Sequence, residues 1–380
     1  MMGEVNSRTT TVRLIDAGRT SILRAQALHH GIADAMNLDD TPVVVLADPD
    51  GRFVSAGAHQ DAMREIDMQS CVNTDTPVIR RATGGPALVL SSDDTLVHFV
   101  LPRVRPEARI GLGGLYVQFA EPVIRTWRTF GLPVEHDAWG GISFGRYRVG
   151  GVQAGRVGNT LIIGGNLLRT FDAEIIAQRA SLPSDEIRAQ IRDTVRDGLA
   201  RANRPLDDTV VREVLLDHVG SALGWTLEPS SLRDDELAAV EQREAQMGTS
   251  EHVFSGGRRL ARAELRAVRG LALVDLVHRG AGGLLRLRLL ERAGVIEDIE
   301  ITGELTCLPV DGLEKLASRL IGLRRDAPDL AARIHGHVGL LGLELSGITA
   351  ADIATALRPV VRPVGGPDPL DLLFGAGQEQ

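Results

Sequence analysis

The sequence predicts an α/β (α+β) chain of two units. The larger, over residues 1–248, is built on a mixed or antiparallel sheet with flanking helices, and the smaller, over 249–380, is an α+β unit. Three observations lead there. The chain has 380 residues, the length of two to three ordinary domains. Short β-branched runs alternate with helical spacing through the first half, whereas after residue 248 three extended runs follow one another before any helix. Hydrophobic residues at 43% and charged residues at 24% suit a globular chain, and aromatics at 3% leave its core to Leu, Val, Ile and Ala.

Taken in order, Thr11–Ile15 reads as a strand and Ser21–Met36 as a helix, with Ile22, Ala25, Leu28, Ile32 and Ala35 at helical spacing. Pro42–Ala47 and Phe53–Gly57 are strands separated by the Asp48-Pro-Asp-Gly turn. Ala62–Cys71 is helical. Thr76–Arg81 is a strand running into Gly84-Gly85-Pro86, followed by Ala87–Leu90 and Leu96–Leu101. Tyr116, Phe119, Val123 and Trp127 share one face of a helix over Gly111–Phe130, with Pro122 marking a kink or a later start. Strands follow at Gly141–Phe144, Arg148–Gln153 and Asn159–Gly164, then helical pattern from Ala173 to Gly224 and a charged helix over Arg233–Met247. In the second unit, Leu271–Val277, Gly283–Glu291 and Val295–Thr302 form an antiparallel sheet, with a helix over Val310–Ile321, a strand at Val338–Leu345 and a helix at Thr349–Leu357. Val364–Gln380 is Pro/Gly-rich and reads as a loosely ordered tail, apart from Leu370–Phe374.

A net charge of −8 argues against a nucleic-acid partner, which calls for a basic face. No apolar run is long enough for a membrane span, and Met1–Arg13 lacks the middle of a secretory signal, so the expected location is cytoplasmic. Cys71 and Cys307 have no ligand-like spacing, and neither they nor the lone His59 and His98 form a metal set. His335-Gly-His337 is a two-histidine pair on a strand with no third ligand, so no metal site is expected. Arg258-Arg259 and Arg324-Arg325 read as solvated faces. Of 42 basic residues only Lys315 is a lysine, which limits what lysine chemistry the chain performs.

Two stretches carry chemistry. In Val78-Ile-Arg-Arg-Ala-Thr-Gly-Gly-Pro-Ala-Leu-Val-Leu90, a strand ends in Arg80 and Arg81 and runs through Thr83 into Gly84-Gly85. Amides of such a turn and a bidentate arginine can hold phosphate or carboxylate, although a plain turn explains the glycines as well. The second stretch spans Gly145 to Leu168, where Gly150, Gly151, Gly155 and Gly165 interrupt two strands that also bear Arg148, Gln153, Arg156 and Asn166. Interior glycines weaken a strand, so they mark either bare backbone under a ligand or tight packing in a curved sheet.

Arg80-Arg81-Ala-Thr-Gly-Gly-Pro-Ala resembles the Arg-Arg-x-x-Gly-Gly-Gly-Ala signature of the lipoate–protein ligase A family, in the biotin/lipoyl protein ligase superfamily. Gly57-Ala-His-Gln-Asp before Glu65-Ile-Asp67 and Cys71 is similar to that family's lead-in. Arg148-Val-Gly-Gly stands at its Lys-Ile-x-Gly, and Ala154-Gly-Arg-Val-Gly and Gly165-Asn-Leu-Leu-Arg-Thr-Phe-Asp172 resemble one branch of it. Gly294-Val-Ile-Glu-Asp-Ile-Glu-Ile-Thr-Gly-Glu-Leu and Leu313-Glu-Lys-Leu resemble its accessory domain, so the likeness runs from about residue 11 to 358.

The resemblance implies a biotin/lipoyl-ligase-like catalytic domain and an accessory domain. It implies activation of lipoate with ATP and Mg2+ to lipoyl-AMP, then transfer to a lysine of a lipoyl carrier protein, either a lipoyl domain or a glycine-cleavage H-like protein. Related members are octanoyl or lipoyl transferases, some acting through a cysteine thioester. Arg148 then takes the catalytic position. Arg80, Arg81, Thr83, Gly84, Gly85, Gly150, Gly151, Gln153, Gly155, Gly165 and Asn166 surround the small carboxylic acid or its adenylate. The departures cluster: arginine for the catalytic lysine, Gly140-Gly141 for an Asn-Asp pair, Pro86 for the third glycine and Leu90 for a histidine. An enzyme with altered chemistry and a non-catalytic protein that binds lipoate or its carrier both remain open. Lys315, on an accessory helix, is not the acceptor lysine of a carrier hairpin.

Overall fold

A computed structural model describes residues 10–145, 147–169, 206–256 and 270–358, with the side chains of Tyr147 and Arg148 outside that description. The helical pattern expected over 173–205, Arg258-Arg259 and the tail from residue 364 therefore lie outside the described residues.

Eight strands form the main sheet: β1 (Thr10–Thr20), β2 (Val43–Pro49), β6 (Thr95–Pro102), β7 (Glu135–His136), β8 (Gly141–Phe144), β9 (Tyr147–Val157), β10 (Thr160–Leu167) and β11 (Trp225–Pro229). Their order is β11-β1-β2-β6-β10-β9-β8-β7, with β1 parallel to both β11 and β2 and the remaining pairs antiparallel, the mixed sheet that the sequence predicts. β3 (Phe53–Ala56), β4 (Val78–Arg80) and β5 (Leu88–Leu90) make a separate three-stranded sheet that carries the Arg-Arg loop.

Alternation along the strands sorts two cores. On one face, Val97, Phe99 and Leu101 of β6 and Leu161 and Ile163 of β10 meet α4 (Gly111–Thr129) and, beyond it, α5 (Asp208–Leu223). On the other, Leu96 and Val100 of β6 and Ile162 of β10 meet α1 (Ile22–Ala35), which Ser21 caps through the Arg24 amide, and α6 (Asp234–Met247) lies behind α1. Arg13 of β1 ties α6 down through a bidentate pair to the fully buried Glu236, at 2.6 and 2.9 Å. The single helix expected over Ala62–Cys71 is two, α2 (Ala62–Glu65) and α3 (Met68–Asn73), because the Asp67 carboxylate accepts from the Ser70 amide and starts a new turn.

After residue 270, β12 (Ala272–Arg279), β13 (Leu284–Arg292) and β14 (Val295–Gly303) pair antiparallel, and β15 (Thr306–Leu308) pairs with β16 (Glu344–Ser346). α8 (Gly312–Leu320), α9 (Leu330–Leu340) and α10 (Ala350–Leu357) close a core centred on Leu287, Ile299 and Leu316, and α7 (Ser250–Val253) precedes this unit. The strand expected at Val338–Leu345 is a correction: residues up to Leu340 belong to α9, so His335 and His337 sit on a helix, and only the last part is extended. Arg325 is a second correction. It is buried, donating to the Leu357 carbonyl at 2.7 Å and pairing with Glu291 at 2.5 Å, while Arg324 stays exposed beside Asp326. No helix among the described residues is long and apolar enough to cross a membrane.

Candidate active site

β4 delivers Arg80 and Arg81 to the end of the small sheet, where both side chains are buried. Their guanidinium groups meet the protein itself. Arg81 donates from Nε to Thr83 Oγ1 at 3.0 Å, from Nη1 to the Ser55 carbonyl at 2.5 Å, and from Nη2 to the carbonyls of Gly84 and Pro86 at 2.7 and 2.8 Å. Arg80 donates to the carbonyls of Val253, Gly57 and Ala58 at 2.9 to 3.2 Å. Thus Arg81 is the internal frame of the Thr83–Pro86 loop and fixes its path.

The turn's amides are also engaged. Gly84 donates to the Ala154 carbonyl on β9, and Gly85 donates to the Leu305 carbonyl, each at 2.9 Å. A Cβ on Gly84 would lie 2.6 Å from Thr306 Cα, so glycine is required by the approach of the start of β15. Tyr116 reaches the same segment, its hydroxyl 2.9 Å from Thr306 Oγ1, and the buried His59 accepts from the Cys307 amide at 3.2 Å.

The glycine-rich strands lie under this loop. A Cβ on Gly155 would stand 2.7 Å from the Ala82 carbonyl, and one on Gly150 would stand 2.7 Å from the Asn166 carbonyl, so these glycines serve backbone-to-backbone approach. Gly165 lies against Val97, and Gly151 beside the Gly140 carbonyl and the Gln153 amide. The pair expected to replace Asn-Asp is a tight turn. Gly140 has φ +87° and room for no side chain, since a Cβ would be 2.3 Å from the Val152 carbonyl, and Asp137 Oδ1 accepts from the amides of Trp139 and Gly141. Pro86 accepts from Arg81, and Leu90 is core. The backbone of Arg148 pairs with Ser143 in β8–β9, five residues before Gln153 on the same strand.

Gln153, Gly164, Asn166 and His98 project from the α1 face of the sheet, with Gly164 registered against both Gln153 and His98. Sequence reasoning took His98 for a lone residue. Its ring stacks on His29 of α1, centroids 3.6 Å apart and planes within 8°, and His30 lies 4.1 Å from His29. Burial drives His98 down to about 3 and His59 to about 4, and holds His29 and His30 well below the ordinary histidine range, so all four are neutral at pH 7. The visible signal was Gln26, His29 and His30 at i, i+3 and i+4 on the buried face of a helix.

The family described as lipoyl protein ligase A/B catalytic domain matches residues 21–222. The chain belongs to this family. Its members are lipoate ligases and octanoyltransferases, which are enzymes. The octanoyltransferase LipM of Kyrpidia tusciae is 24% identical over 260 residues, 61% of this chain and 94% of that protein. Among solved structures, a bi-partite lipoate protein ligase from Thermoplasma acidophilum, determined in a study of its lipoylation system and E2 lipoyl domain, has TM-score 0.58 at 18% identity. It covers 64% of this chain and 96% of its own. LipL1 of P. falciparum, in complex with lipoate, has TM-score 0.60 at 12% identity over 88% of this chain and 95% of its own. The fold extends past the family match into the second sheet.

Both cysteines of this family member are buried. Burial raises the Cys71 thiol, and burial followed by the nearby Asp311 pushes Cys307 up to about 12, so neither supplies thiolate at neutral pH.

Proposed function

We propose that the chain transfers an activated acyl group, lipoyl, octanoyl or a related one, to a lysine of a lipoyl carrier protein. The acyl donor, an acyl-adenylate such as lipoyl-AMP, lies on the α1 face of strands β9 and β10 beside the Thr83–Pro86 loop. The observation that carries this reading is the locking of that loop onto β9 through the Gly84 amide, which gathers the loop, Gln153 and the strand bearing Arg148 at one sheet face in a member of this family.

The acceptor amine attacks the acyl carbonyl, a C–N bond forms, the C–O bond to the phosphate breaks, AMP leaves with the electron pair, and the amine proton goes to solvent. Because the amides of Gly84 and Gly85 already donate to Ala154 and Leu305, the phosphate charge falls to Arg148, whose fixed cation stabilises charge developing on the leaving group. Arginine serves this role and cannot serve as a general base, since it does not lose its proton. Gly151 and Gly155 leave bare backbone on the α1 face, Gly150 and Gly165 allow close packing on the α4 side, and Arg80, Arg81 and Thr83 hold the loop's shape. Residues 1–248 form the catalytic unit and 249–380 the accessory unit, whose Leu305–Thr306 segment seats on the loop.

Mg2+ is held by one or two carboxylates together with phosphate oxygens. The donors gathered among the described residues where the loop meets β9 and β10 are guanidinium, amide and imidazole groups, which do not make a magnesium site. The thiols are too deeply buried and too weakly acidic to form a thioester intermediate.

The test is incubation of the purified chain with lipoyl-AMP and a lipoyl domain, followed by intact-mass measurement of the carrier. Acylated carrier above the chain-free control supports the reading, and none overturns it. Pyrophosphate release from lipoate, ATP and Mg2+ would show that the chain also makes its own donor.

A further inference from the structure

Beside the Thr83–Pro86 loop, α1 and β6 bury a cluster of polar side chains. Gln26, His29 and His30 are 1 to 2% exposed and His98 is 6% exposed. His30 Nε2 accepts from the Ala82 amide at 3.3 Å, which leaves its Nδ1 as the N–H. That nitrogen, both nitrogens of His29, Nδ1 of His98 and Oε1 of Gln26 have no hydrogen-bond partner among the described residues, and neither does Asn166 Oδ1, two residues beyond Gly164. A buried polar atom left without a partner is costly, because it has given up its hydrogen bonds to water and gained none in return. So many at one place mark a spot where a polar group belongs.

The chemistry of that group follows from the cluster. The imidazoles are neutral, because burial opposes their protonation, so each offers one donor and one acceptor. An ionised carboxylate buried against neutral rings lacks a compensating cation, since Arg81 is engaged with carbonyls. A metal ion does not fit either. The His29 and His98 rings stack face to face, and no group of three or more His, Cys, Asp or Glu among the described residues is placed to hold a metal ion. The fitting partner is uncharged and both donates and accepts.

Its position ties it to the Thr83–Pro86 loop. A Cβ on Gly164 would be 3.1 Å from the His98 ring and 3.4 Å from Gln153 Oε1, so these two side chains close over the bare backbone there. Gln153 in turn lies beside Gly85, and His30 holds Ala82 of the loop. An acyl chain laid from the Gly84-Gly85 turn across Gln153 runs toward His98.

We propose that the cluster of His29, His30, His98 and Gln26 selects acyl groups bearing an uncharged hydrogen-bonding substituent, such as a hydroxyl, over a plain hydrocarbon chain. The inference rests on the acyl-transfer reading of this sheet face. It is tested by calorimetric titration of the full chain with octanoyl-sulfamoyl-adenosine and its ω-hydroxyoctanoyl counterpart. The hydroxylated compound binds at least about tenfold tighter, and His98→Leu removes or reverses that preference. His98→Gln, which keeps hydrogen-bonding capacity, retains part of it and guards against a folding defect in the leucine variant. Equal or tighter binding of the plain octanoyl compound by the natural chain, as ordered water filling the cluster would give, overturns this inference and leaves acyl transfer standing. Binding of neither compound overturns both.

Discussion

On the face of the main sheet that meets α4, Phe99, Phe119 and Trp225 lie ring to ring with centroids 4.9 to 6.0 Å apart. One residue earlier on β6, His98 points to the opposite face and stacks on His29. The same strands thus carry, against α4, a face filled by apolar packing and, against α1, an apolar face interrupted by a patch of Gly164, Gln153, Asn166 and neutral imidazoles. The first kind of surface stabilises the fold. The second costs stability, and a chain that keeps it has a use for it beyond folding.

Substitutions separate the two faces. The largest effect falls on the apolar one: Phe119→Ala lowers unfolding free energy by about 3–5 kcal/mol in denaturant titration while the folded fraction keeps its affinity for an acyl-adenylate analogue. At the proposed catalytic position, Arg148→Ala reduces carrier acylation about a hundredfold without a comparable stability loss, and Arg148→Lys, which retains a cation, keeps activity within about tenfold of the natural chain. Equal stability losses for Phe119→Ala and Arg148→Ala would erase the distinction. Gly84→Ala sits between them. Its methyl meets the Thr306 backbone, so it costs about 1–3 kcal/mol and exposes the 303–307 segment to limited proteolysis.

The smallest effect is a pH dependence. Burial holds the folded-state pKa of His98 at about 3, below the ordinary 6.5. Its neutral form is therefore the one that folding favours. That contribution is complete above pH 6.5 and is lost as pH falls toward 3. The stability of the natural chain relative to His98→Leu should decline across that window and stay flat above it.

Much of the frame was legible because it is local. β-branched runs gave the strands, and the four residues sharing one face gave α4 despite Pro122. The Val338–Leu345 stretch misled because its alternation overlaps the apolar end of α9, which packs Leu330 and Ile334 inward. The two arginines were readable as a pair at a strand end, whereas their engagement with carbonyls of Ser55, Gly57 and Val253 depends on contacts distant in sequence. The stacking of His98 on His29 is hidden for the same reason: it spans α1 and β6, and each histidine alone reads as an ordinary core or surface residue.

The central claim is that the α1 face of the sheet holds the acyl donor. A diazirine-bearing octanoyl-sulfamoyl-adenosine, photo-crosslinked to the full chain and mapped by peptide mass spectrometry, tests it most directly. Labelling is expected on peptides from β9, β10 and α1, competed away by unmodified octanoyl-sulfamoyl-adenosine. Competed labelling confined to α4, α5 or the segments after residue 270 would contradict it.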